Sequence, residues 1–225
     1  EDNYLKVGDA RAAAAQLVAS HFINRALAQA CSLPDDSVAL GHAFESDPLA
    51  PGSLTHEVAL ASLVRGIFPE HPLKYMPATR HKTGDIFFAH ALDAMALLVG
   101  VLTRQDIQLL GMMSEAVANP SIADRAHALR TASYINNAVA GLGTSLDVRA
   151  DSEIARIQRT VFQHALELLR HVADRGLIAA VADGRFGNVR RPPSGGRGAH
   201  AGRVDRAELR LRQRQHDGLL RAQRL

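Results

Sequence analysis

Leu73-Lys74-Tyr75-Met76-Pro77-Ala78-Thr79-Arg80-His81-Lys82-Thr83-Gly84-Asp85-Ile86-Phe87 is the stretch that decides the fold. Pro69 and Pro72 punctuate the chain before it, so Leu73 to Met76 reads as a short strand. Pro77 to Thr83 reads as a loop, and Gly84-Asp85 opens a long helix. A strand feeding a long helix is one βα unit, the building block of a parallel sheet. On that helix Phe87, His90, Ala91, Ala94, Met95, Leu98, Val101 and Leu102 are expected to share the inward face.

The same unit recurs on both sides. Upstream, positions 15, 18, 19, 22, 23, 26, 27 and 30 form an apolar stripe at helical period, predicting a helix from Asp9 to Cys31. Pro34-Asp35-Asp36 ends it, and Val38 to Phe44 suits a buried parallel strand. After the loop from Asp47 to Ser53 comes a helix with His56, Leu60, Leu63, Val64 and Ile67 on one side. Downstream, Ile107 to Met112 is a third strand. The next helix starts after Pro120, with Ser121 and Asp124 as a capping box and Ala128, Ala132, Ile135 and Val139 inward. A fifth helix spans Asp151 to Asp174, with Ile154, Ile157, Val161, Ala165, Leu168 and Val172 inward.

Three strands lie roughly 35 residues apart. If Glu1-Asp2-Asn3 ends one more, four units are present, half of a (βα)8 barrel of the TIM type. The fold class is thus α/β. Residues 1–145 are expected to form the second half of the barrel, 146–190 a helical extension and 191–225 an Arg-rich, flexible tail. Half a barrel leaves two open parallel edges and should be poorly stable alone.

Composition sets the outer limits. A chain of 225 residues, 47% apolar, can bury a sizeable core. It opens on Glu1 without an initiator Met or an apolar signal region, which reads as a truncation. No apolar run is long enough to span a membrane, and a cytoplasmic setting is expected. The single Cys31 excludes an internal disulfide and reads as a small buried hydrophobe. The net charge of +3 is unevenly spread: residues 185–225 hold eleven Arg against three acids, a balance of +8, so the first 184 residues carry −5. Past Phe186 that segment has no aromatic residue on which bases could stack, which argues against nucleic-acid binding.

In such barrels the loops after the strands build the active site. That picks out Asp2 and Asn3; His42, Glu45 and Asp47; Tyr75, Thr79, Arg80 and His81; and Ser114 and Glu115. Two readings stand for each cluster. His42 and Glu45 could serve a ligand or satisfy loop backbone, and Arg80-His81-Lys82 could bind phosphate or be a solvated charge run. His56 and His90 read as packed helix residues. No H-x-x-x-H or carboxylate cluster suggests a metal, and no G-x-G-x-x-G follows a strand. Only Lys6, Lys74 and Lys82 could form a Schiff base, and spacing singles out none.

Four stretches together resemble the lysine 5,6-aminomutase α-subunit family: Glu1 to Tyr4, Gly41 to Pro48, Lys74 to Phe87, and Leu109 to Ala116. Gly184-Arg185-Phe186, through Arg191-Pro192 to Gly198, is similar to that subunit's C-terminal region. The resemblance implies an isomerase using adenosylcobalamin and pyridoxal 5'-phosphate to move the terminal amino group of D-lysine or β-lysine by radical chemistry. It also implies a β subunit that carries the cobalamin domain and the Schiff-base lysine, so that no catalytic lysine is expected here. Asp2 and Asn3 match positions near substrate and pyridoxal phosphate. Glu115 matches a glutamate that contacts the ribose hydroxyls of the adenosyl group. His42, Tyr75 and Arg80 lie in the shared motifs as pocket candidates without a specific role. The family's first half-barrel, which supplies most phosphate and substrate-carboxylate contacts, has no counterpart here, and Ala199 to Leu225 departs from the family's ending. Two other classes stand beside this one: a non-catalytic remnant that binds a partner through its open edge or Arg tail, and an unrelated barrel enzyme acting on a phosphorylated small molecule through Arg80.

Overall fold

The structure, a computed structural model, describes residues 10–42, 46–77, 79 and 81–186. Helix α1 (Ala10–Ala30) leads through a 3-10 turn at Asp35–Ser37 to strand β1 (Leu40–His42). Then follow α2 (Ser53–Ile67), β2 (Leu73–Tyr75), α3 (Ile86–Leu102), β3 (Ile107–Gln108) and α4 (Ile122–Ala138). A short α5 (Leu142–Ser145) precedes the long α6 (Glu153–Arg175) and the short α7 (Leu177–Ala182). The strands form one parallel sheet in the order β1-β2-β3, with His42 opposite Tyr75 and Tyr75 opposite Gln108. Among the described residues this is a small sheet with helices, and not a closed barrel. The strand expected to end at Asn3, and the segment from 187 onward, lie outside the described residues.

Local chemistry sets the element ends. Asp85 accepts the Phe87 and Phe88 amides at 3.0 Å and so starts α3. Ser121 and Asp124 form the expected capping box on α4, and Ser152 caps α6 through the Ala155 amide. Asp106 joins three elements: its carboxylate pairs with Arg65 of α2 and accepts the Leu73 amide of β2 at 2.8 Å. Burial works to raise the Asp106 pKa, but the Leu73 and Arg65 donors outweigh it and hold the group below its usual value.

The core lies on one side of the sheet. Leu40, Leu73 and Tyr75 pack there with Leu17 and Val18 of α1, Leu60 and Val64 of α2, Phe68, and Ile157, Val161 and Ala165 of α6. Each fully buried apolar side chain of this size contributes about 1.5–3 kcal/mol. The α6 stripe is the expected one, and the inward residues expected of α4 also hold: Ala132 and Ile135 are buried against Leu97 of α3. His21 sits inside the main core against Phe68, and burial pushes its pKa down to about 4.

The opposite face of the sheet is different. Alternation turns Gly41, Lys74 and Ile107 away from the helices. Ile107 is 41% exposed, and Leu109, which continues the ladder by donating to the Tyr75 carbonyl at 3.0 Å, is exposed too. Among the described residues no helix covers this face. Parallel strands are normally covered on both sides.

Four expectations are corrected. On α3, Ala94, Leu98 and Val101 pack against the smaller core as expected, but the buried positions are Ala89, Asp93, Leu97, Val99 and Gly100, whereas Phe87 is 81% exposed and Met95 is also exposed. This helix is apolar on nearly every side, so no polar back marks its orientation. The last turn of α1 is uncovered, with Ala26, Leu27 and Ala30 exposed. Cys31 lies beyond that helix and is exposed rather than buried, because nothing packs over the chain there. The strands are also shorter than expected.

Candidate functional site

The ends of the strands meet two settings, one on each side of α3. On the α2 side, Tyr75 at the end of β2 points into the helix layer and donates from its hydroxyl to Glu57 Oε2 at 2.8 Å. The other oxygen of Glu57 accepts the Ser46 amide at 2.9 Å, which ties the chain after β1 to α2. Burial first, and then the neighbouring carboxylate, hold the Tyr75 pKa well above its usual value, so the phenol remains a donor at any ordinary pH. These groups sit at the base of a cleft of about 260 Å3 whose walls include Leu54, Phe88, Leu92 and Met95.

On the α4 side, Lys82 of the loop after β2 reaches inward with its side chain 0% exposed. Its Nζ lies 2.6 Å from Asp93 Oδ1 on α3 and 2.6 Å from Glu115 Oε1 in the loop after β3. It also donates weakly to the Met112 carbonyl at 3.4 Å. Glu115 Oε2 accepts the Met112 amide at 3.2 Å. The Lys82–Asp93 contact is a close ion pair between two nearly buried groups. Burial accordingly raises the Asp93 pKa, with the Lys82 ammonium acting in the opposite sense without offsetting it.

Backbone space makes this cluster possible. A Cβ on Gly111 would fall 1.9 Å from Asp93 Oδ1 and 2.5 Å from Lys82 Nζ, so only glycine lets the loop lie this close. Ser114 donates to Asp124 at 2.8 Å and fastens the loop to the α4 cap; that bond, followed by the Ser121 amide, keeps Asp124 below its usual pKa. Glu115 is the exposed corner, at 26%, against 6% for Asp93.

Of the expected site residues with described side chains, Tyr75 and Glu115 are not in one pocket, since the cleft lined by Tyr75 does not include Glu115; Ser114 stands beside Glu115 on the α4 cap, Asp47 accepts the Leu49 amide at 3.0 Å, and Thr79 and His81 lie in the loop after β2. His42 is placed only by its backbone pairing with Tyr75. Asp2, Asn3, Glu45 and Arg80 lie outside the described residues. Lys74 lies along the open face of the sheet beside Gly41, and Lys82, held between two carboxylates, is a counter-ion rather than a nucleophile. Sequence reasoning missed Glu57 and Asp93. A lone carboxylate between Ala89 and Leu97 was the available sign of Asp93. Among the described residues no group of three His, Cys, Asp or Glu could hold a metal, and no helix is long and apolar enough to cross a membrane.

Residues 1–211 match the family model described as the D-lysine 5,6-aminomutase TIM-barrel domain of alpha subunit. Two curated relatives are similar. The lysine 5,6-aminomutase alpha subunit of Acetoanaerobium sticklandii is 40% identical over 198 residues, and that of Fusobacterium nucleatum subsp. nucleatum is 39% identical over 198 residues. In both cases the match covers 88% of this chain and 38% of the relative, so the chain spans well under half of their length. By the extent of the model match, the chain belongs to the family of the D-lysine 5,6-aminomutase α-subunit TIM-barrel domain.

Proposed function

We propose that this chain is α-subunit material of a lysine 5,6-aminomutase, forming the second half of a (βα)8 barrel and acting in the cytoplasm with a β subunit. The observation that carries the architectural part is the sheet face of Gly41, Lys74 and Ile107, which has no cover among the described residues and suits the interior of a larger barrel. Adenosylcobalamin and pyridoxal 5'-phosphate would supply the radical and amino-carrying chemistry for migration on D-lysine or β-lysine.

The residues described fit one part of those groups. Glu115 carries a partly exposed carboxylate whose two oxygens each accept one bond inside the protein, from Lys82 and from the Met112 amide. Each keeps a free lone pair, so the pair can accept from the two hydroxyls of a ribose. Pyridoxal phosphate is assigned to the partner, the remaining half-barrel and the neighbourhood of Asp2 and Asn3. His42 and Arg80 are kept as pocket candidates. Tyr75 has a supporting part: by holding Glu57, and through it Ser46, it fixes the loop after β1.

Titration of the assembled enzyme with each cofactor tests this reading. Glu115→Ala should weaken adenosylcobalamin binding by about 10-fold or more, the scale of losing charge-assisted hydrogen bonds, with pyridoxal phosphate affinity within about 2-fold of the parent. Equal loss of both, or no amino migration by the parent enzyme on either lysine, would overturn it.

A further inference from the structure

We infer that Lys82 is a positioning residue for Glu115, holding its carboxylate in a single orientation toward an incoming adenosyl ribose. This rests on the assignment of Glu115 to that ribose. Three observations carry it. The ammonium is wholly buried and reaches Glu115 Oε1 at 2.6 Å from another loop, thereby linking the loops that follow β2 and β3. The Met112 amide holds the second oxygen at 3.2 Å, so the carboxylate is fixed at both atoms by donors inside the protein. Asp93, behind the ammonium and nearly buried, supplies a second negative charge that Glu115 would face without Lys82 between them. Removing Lys82 takes away the donor that holds Glu115 Oε1, and with Asp93 in place it also leaves two carboxylates close together, so the mobile one is free to turn away. Glu115, the exposed one, is the group free to turn. A carboxylate set in place before the ligand arrives avoids ordering it on binding.

The test compares adenosylcobalamin with hydroxocobalamin, which lacks the adenosyl group, on the assembled enzyme. Because Lys82→Met strands Asp93, the working variant is Lys82→Met with Asp93→Asn, measured beside Asp93→Asn alone, Glu115→Gln, and the triple combination. In the working variant the adenosylcobalamin Kd should rise about 10-fold relative to Asp93→Asn alone, the hydroxocobalamin Kd should stay within about 2-fold, and Glu115→Gln should add little on top, as for groups acting through one contact. A parallel loss of both cobalamins, or effects that simply multiply with those of Glu115→Gln, would overturn the positioning role. If Glu115→Gln alone leaves the preference for adenosylcobalamin unchanged, the assignment of Glu115 itself fails.

Discussion

The two sides of α3 hold similar chemistry for different ends. On the α2 side a carboxylate, Glu57, is bound by a phenol and an amide and braces the loop after β1. On the α4 side a carboxylate, Glu115, is bound by an ammonium and an amide but keeps a quarter of its side-chain surface open. The difference lies in the donor. A neutral phenol closes a local contact, whereas a buried cation must be matched by charge, and here it draws in carboxylates from two separate elements.

Removing the key donor on each side measures this contrast. In Lys82→Met, unpaired Asp93 remains buried, and unfolding free energy should fall by about 3–5 kcal/mol; adding Asp93→Asn should restore a good part of it. Chemical denaturation of the pair decides, and a Lys82→Met chain as stable as the parent would break the comparison. Tyr75→Phe should cost less, about 1.5–3 kcal/mol for one hydrogen bond to a charged group, with no change in cobalamin preference. A cost equal to that of Lys82→Met would show the two sides to be alike.

The pH dependence provides the smallest and most specific signal. Asp93 has a raised folded pKa, so its contribution to stability is fully present below the unfolded value near 3.8 and is lost as pH rises through the folded value. The stability of the parent relative to Asp93→Asn should therefore decline as pH rises from about 4. Unfolding midpoints across that range check the sign, and a rising difference would contradict it.

How much was legible follows from how each helix is dressed. α4 and α6 have polar backs, so Ala132 and Ile135, and Ile157, Val161 and Ala165, could be read as inward from spacing alone. α3 has apolar residues all round, and its inward side could not be phased, which hid Asp93. Glu115 was readable as a strand-end residue, but its partner was not. Lys82 lies 33 positions away and meets it only because Gly111 lets two loops touch. Tyr75 was correctly placed at a strand end, yet strand alternation turned it toward the helices, a consequence of a register that no local pattern discloses.

The account rests most heavily on the sheet being an incomplete part of a larger parallel barrel. Amide hydrogen exchange along β3 and its continuation, residues 107–110, tests that directly when the isolated chain is compared with the full-length subunit in its assembly. The expected result is rapid exchange at the unpaired amides of β3 in isolation and at least about 100-fold protection in the assembly, as an open edge becomes a paired one. Identical exchange in both settings would contradict the half-barrel assignment.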